Sequence, residues 1–225
     1  MFVNLHTHFR LPEGQTGLVS HPAQMAFRPE PGQYYSAGLH PWYLNDLLNE
    51  KWLSALGRLS MLLQVLAIGE CGLDRSIETP MEVQEVVFVR QVEIAEKSGK
   101  PLILHAVRSY ADLLRIRKTR PATVAWILHG YHGNTETTRQ LLAHGFYFSF
   151  GPALLKNQEK LNRSLRSVPP SHLFLETDES MVPIESIYIF AASVLQLSVE
   201  ELREMICKNF QTIFKKWETG RNVRH

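Results

Sequence analysis

The most constraining feature of this sequence is an alternation that repeats along its length. Short apolar runs, each the size of a strand, are followed by longer stretches with helical periodicity. Residues 2–5, 34–39, 65–68, 102–104, 124–128, 146–150 and 172–175 read as seven strands. Strands separated by helices imply βαβ units and a parallel sheet. No linker or low-complexity stretch breaks the pattern. Residues 1–217 are therefore expected to form one α/β domain, a TIM-type (β/α) barrel, with 218–225 as a flexible C-terminal tail. The 12–32 segment is rich in Pro, Gly and Gln and reads as irregular, so the barrel is expected to have an incomplete or distorted early βα unit.

The clearest helix spans 80–98. Pro80 suits its first turn, Gln84, Phe88, Gln91 and Ala95 fall on one face, and Gly99 stops it. Ser198 with Glu201 makes a capping box opening another helix, whose apolar face carries Val199, Leu202, Met205 and Ile206.

Composition removes several function classes. The chain has 24 Lys plus Arg against 22 Asp plus Glu, a formal charge of +2, which argues against nonspecific nucleic-acid binding over the whole surface. Apolar runs are far shorter than the ~20 residues a bilayer requires. The N-terminus lacks the pattern of a secretory signal, and the two cysteines, Cys71 and Cys207, read as reduced thiols, so a cytoplasmic location is expected. One count stands out: ten histidines.

In a parallel barrel the reactive groups gather where strands end. Here the ends carry histidines and acids. The first strand runs into His6-Thr7-His8, whose alternation points both imidazoles the same way. The third ends in Gly69-Glu70-Cys71-Gly72-Leu73-Asp74, the fourth in His105, the fifth in His129 and the seventh in Glu176-Thr177-Asp178. A lone His-x-His is more often a solvated pair than a metal site, and each later histidine alone reads as a satisfied core residue. Five strands delivering such groups at equivalent positions favour a metal centre. Four imidazoles and two acids suit Zn, Mn, Fe or Co, with Mg also open, and exclude thiolate sites. The two oxygens of Glu70 could bridge a metal pair. Two divalent cations less the charges of Glu70 and Asp178 leave +2, which favours an anionic substrate such as a phosphate ester.

These residues, in this order, resemble the TatD family of metal-dependent deoxyribonucleases, in the amidohydrolase-like barrel superfamily, as a shortened member. The resemblance covers roughly residues 1–214. It rests on His6-x-His8, Gly38-Leu39-His40-Pro41, the 67–74 segment, His105-x-x-Arg108, His129-Gly130-Tyr131-x-Gly133 and Glu176-Thr177-Asp178. The Gly-Glu-Cys-Gly-Leu-Asp stretch is the most specific.

What the resemblance implies is a two-metal phosphodiesterase, a 3′-to-5′ exonuclease on DNA, loaded with two divalent ions (Zn, Mn or Mg). Carried across, His6, His8, Glu70 and Asp178 hold one metal, and Glu70, His105 and His129 the other. Asp178 and Glu70 are the catalytic carboxylates, Asp178 also orienting or deprotonating the attacking water. His40 and Arg108 take substrate phosphate. Asp74 reads either as a hydrogen-bond partner of a ligand histidine or as the start of a loop. The partner implied is DNA or a small phosphoester, with no membrane and no obligate protein partner.

Departures from the family pattern keep other readings open. Asn4 stands in place of an acid, Phe9-Arg10 replaces another, and Ser109 a third. After Asp178 the usual long loop is missing. The alternatives are a polymerase-and-histidinol-phosphatase-like phosphoesterase, an amidohydrolase or lactonase on a small molecule, and a binding protein with degenerate chemistry. Of the remaining candidates, Trp42 reads as a base-stacking surface or as packing at a helix start, and Cys71 as a small buried thiol. His132 is expected in a solvent-facing loop, and His21, His144, His172 and His225 as structural or exposed. The basic run at 115–120 is expected to be a solvated helix end.

Overall fold

In the computed structural model, which describes residues 1–45, 47, 49–120 and 122–214, eight parallel strands lie side by side in chain order. They are β1 (Phe2–Thr7), β2 (Gln15–Pro22), β3 (Tyr35–Gly38), β4 (Val65–Asp74), β5 (Leu102–Val107), β6 (Trp126–Leu128), β7 (Phe146–Phe150) and β8 (Leu173–Leu175). The ring closes just past β8. A parallel bridge pairs Thr7 with Asp178, whose N–H donates to the His6 carbonyl at 3.0 Å and whose carbonyl accepts from His8 N–H at 3.1 Å. The expected tail at 218–225 lies outside the described residues.

Helices α1 (Asn49–Leu59), α2 (Met81–Ser98), α3 (Tyr110–Thr119), α4 (Thr135–Leu142) and α5 (Glu159–Ser167) each connect consecutive strands from β3 onward. After β8, α6 (Ile184–Leu195) and α7 (Val199–Ile213) fold back towards β1. The expected face of α2 is the buried one, with Gln84, Phe88, Gln91 and Ala95 all inside, and Gly99 ends it at φ 64°. Both halves of the Ser198–Glu201 capping box form. Between sheet and helices, Trp126 meets Phe88 and Phe146 edge to face at 5.5 and 5.6 Å, contacts worth about 0.5–1.5 kcal/mol each beyond burial. Among the described residues no helix is long and apolar enough to cross a membrane.

The expectation for 12–32 is corrected in part. β2 occupies the middle of that segment, so the barrel has its full set of strands. What the early unit lacks is helices: residues 8–14 and 23–34 are loops and turns. The strand escapes notice because its apolar run is only Leu18–Val19, set between Gly17 and Ser20-His21-Pro22. Yet Gly17 is what the pairing needs, since a Cβ there would sit 1.6 Å from the Asn4 carbonyl oxygen of β1. β4 and β5 also run further than expected, so Glu70, Asp74 and His105 belong to strands rather than to the loops beyond them.

Candidate metal centre

β4 is buried along its whole length, and its register against β5 shifts by one residue between Ile68 and Cys71. Gly69 sits in that bulge, where a Cβ would lie 2.5 Å from the Ile103 carbonyl oxygen. Beside it, Glu70 occupies the middle of the barrel's carboxyl end, and its two oxygens face different histidines. Oε1 lies 2.7 Å from His129 Nε2 and 3.1 Å from both His40 Nε2 and His105 Nδ1. Oε2 lies 3.4 Å from His6 Nε2 and 3.7 Å from His8 Nε2. Asp178 joins this second set, its Oδ1 at 3.6 Å from His6 and 3.4 Å from His8. A backbone φ of 53° at Asp178 turns the chain sharply there, a conformation that costs a non-glycine residue about 1 kcal/mol or more.

Behind the histidines stand further carboxylates. Asp74 is the partner of His105, with Oδ2 at 3.1 Å from Nε2, and the same oxygen accepts the Trp42 indole N–H at 2.7 Å. Its Oδ1 accepts Ser76 N–H at 2.7 Å. Fully buried Glu176 faces His129 Nδ1 at 3.4 Å and accepts Gly130 N–H at 2.5 Å. Such outer carboxylates fix which ring nitrogen each histidine turns inward. The two glutamines on the α2 face hold the strand ends themselves. Gln84 accepts from Asp74 N–H at 2.7 Å and donates to its carbonyl at 2.9 Å; Gln91 does the same for Leu39, at 2.8 and 3.0 Å.

Charge is balanced within this cluster. Burial works to raise the pKa of Glu70, but His129, His105 and His40 around it prevail and hold it well below the carboxylate range. His129 is raised well above its ordinary value because Glu70 and Glu176 outweigh its desolvation. Hydrogen bonds to Asp178 and Glu70 raise His8 to about 9. Burial shifts His40 downward, so it is neutral near pH 7. Fully buried His6 has no hydrogen-bond partner at either ring nitrogen among the described residues. An idle buried imidazole is what a metal ligand is before loading. Three groups, His6–Glu70–His129, His6–His8–Asp178 and His40–Glu70–His105, each bring their ligand atoms within 4.8 Å of one another. Nitrogen and oxygen donors of this kind fit borderline divalent ions.

The structure thus gathers His6, His8, Glu70, His105, His129 and Asp178 at one place, with Asp74 directly behind. His40 stands among them. Arg108 does not: it is exposed and borders a groove with Tyr110, Leu114 and Lys118, apart from the cleft over Glu70. That cleft is also walled by Ser20, His21, Tyr43 and Glu179, none of them expected. Both Ser20 and His21 ride on β2, which places His21, expected as structural or exposed, in the cleft wall. The basic run at 115–120 is not simply a solvated helix end: Arg115 pairs with Glu85, and Arg117 lies over the Trp126 ring at 5.1 Å.

Comparison with known proteins follows the same lines. A family model described as TatD related DNase matches residues 20–215. The chain is 34% identical over 148 residues to the Bacillus subtilis protein named "Uncharacterized metal-dependent hydrolase YabD", covering 64% of this chain and 58% of that protein. It is 32% identical over 197 residues to the Escherichia coli "Uncharacterized metal-dependent hydrolase YcfH", covering 80% and 73%. Among solved structures, the Escherichia coli TatD homologue YJJV superposes with a TM-score of 0.80 at 21% identity over 95% of this chain and 98% of that one. That likeness is one of fold.

Proposed function

The chain belongs to the TatD related DNase family, and from that premise we propose that it is a two-metal phosphodiester hydrolase acting on DNA. The observation that carries this reading is the division of labour at Glu70, one oxygen facing His40, His105 and His129 and the other His6 and His8. In this reading His6, His8, Glu70 and Asp178 hold one divalent ion, and Glu70, His105 and His129 hold the second. Such ions, when bound, lower the pKa of water towards neutrality and offset charge on the attacking and leaving oxygens.

The chain's own residues supply the rest. The Asp178 carboxylate, half-buried at the cleft, orients the attacking water and accepts its proton. The tautomer of His40 follows from its neighbours: Nδ1 accepts the Trp42 backbone N–H at 3.2 Å, so the neutral ring carries its proton on Nε2. That Nε2–H faces Glu70 Oε1 at 3.1 Å; with Glu70 taken up by metal it would be free to donate to a phosphate oxygen, and while protonated it cannot ligate a metal itself. That favours His40 as a substrate contact despite its place beside Glu70. Asp74 and Glu176 hold His105 and His129 in orientation. Asn4 and Ser109, whose identity kept a degenerate binding protein in play, have structural tasks. Asn4 is bonded to Thr177, and Ser109 Oγ donates to the Leu73 carbonyl at 2.6 Å.

The test is hydrolysis of a single-stranded oligodeoxynucleotide with Zn, Mn or Mg added. We expect metal-dependent release of nucleotides, and a loss of more than about 100-fold in kcat/KM in His105→Ala, beyond what removing an outer-sphere partner gives. Full activity in that variant, or activity indifferent to chelation, would refute the reading.

A further inference from the structure

Trp42 is placed in a way the hydrolysis itself does not require. It sits in a short 3-10 turn (Pro41–Tyr43) directly after His40, and 56% of its surface is exposed. Its orientation is fixed. The indole N–H points inward to Asp74 Oδ2 at 2.7 Å, and the ring stands edge to face against His40 at 5.0 Å and His105 at 5.9 Å. Tyr43, 54% exposed, follows it and meets the His40 ring at 5.9 Å. Among the described residues that line the cleft, Trp42 and Tyr43 are the only aromatics other than histidine.

We propose that Trp42, seconded by Tyr43, is the nucleobase platform of this cleft. This rests on the phosphodiester hydrolase reading above. The indole adjoins the His40 and His105 rings that border Glu70, so a nucleoside attached to a phosphate at that centre would lie beside it. Every base has a π-face to offer such a ring, whatever its identity, so the contact is sequence-tolerant. In a duplex those faces are covered by neighbouring pairs; only single strands and frayed ends expose them. The tether to Asp74 removes the rotameric freedom an exposed indole otherwise loses on binding. The alternative is that Trp42 serves only as a clamp on Asp74, and through it on His105.

The two roles separate in a ratio. An oligothymidylate and an abasic oligomer of equal length carry the same phosphates and differ only in bases. Binding of both is measured by anisotropy on chelator-treated full-length protein, and hydrolysis of both on metal-loaded enzyme. The wild type is expected to favour the base-bearing oligomer at least fivefold in both readouts, about the lower bound for one stacked base. In Trp42→Leu that ratio should fall towards one, whereas Trp42→Phe, which keeps an aromatic face and loses the N–H, should retain part of it. A clamp alone predicts equal loss on both oligomers and an unchanged ratio in both variants. If the wild type treats the two oligomers alike while cleaving both, the platform is wrong and the hydrolase reading stands. If it cleaves neither under any metal, both fall.

Discussion

Asn4 joins the first strand to the chain just past the last one through two buried hydrogen bonds: its amide donates to Thr177 Oγ1 at 2.8 Å and accepts Thr177 N–H at 3.0 Å. An aspartate at this position could not donate. Net contributions of 0.5–1.5 kcal/mol per bond, with a backbone N–H left unpaired, place the destabilisation in Asn4→Ala at about 2 kcal/mol in urea unfolding. At this scale the sequence was legible wherever a residue's place depends on its position along one strand. His6, His8, Glu70, His105, His129 and Asp178 mark the ends of apolar runs, and the runs are local. It was not legible where the role depends on a neighbour from another element. The hold of Glu176 on His129, the tie from Trp42 to Asp74 and the place of Arg108 outside the cleft are of that kind.

Between elements, backbone proximity decides as much as side-chain pattern. β2 reads as irregular because it carries only two apolar residues beside a glycine, and it is a strand because that glycine lets it approach β1. Gly17→Ala would press a methyl group against the Asn4 carbonyl, with no flexible side chain to give way. We expect about 3 kcal/mol of destabilisation, or insoluble expression, since overpacking of this severity lies at the upper end of what cores tolerate. Wild-type stability in that variant would show that the β1–β2 pairing is not needed. The α2 periodicity is a contrasting case. Its buried face was evident from spacing, but the reason glutamines occupy it was not. Gln84 and Gln91 satisfy the backbone at Asp74 and Leu39, which positions the turn carrying His40 and Trp42. Alternating strands and helices declare a barrel; the particular hydrogen bonds that aim its loops depend on contacts across residues 52 apart, as between Gln91 and Leu39.

For the whole molecule, eight strands in ring order bring residues from one end of the chain to the other onto a single glutamate. The charge pattern follows from that convergence. Glu70 with Asp178 raises His8, and Glu70 with Glu176 raises His129, so imidazolium charge offsets the carboxylates, and cations held there would take the place of those protons. Only residues 179–183 separate Asp178 from α6, with Glu179 lining the cleft, and the carboxyl end of β2 brings Ser20 and His21 into its wall. The central claim is that Glu70 serves two metal sites at once. Elemental analysis of protein purified without chelators and equilibrated with Zn or Mn tests it most directly. The account predicts close to two equivalents per chain in the wild type and less than one in Glu70→Ala, with the fold intact by circular dichroism. Wild-type metal content in Glu70→Ala, or none in the wild type, would contradict it.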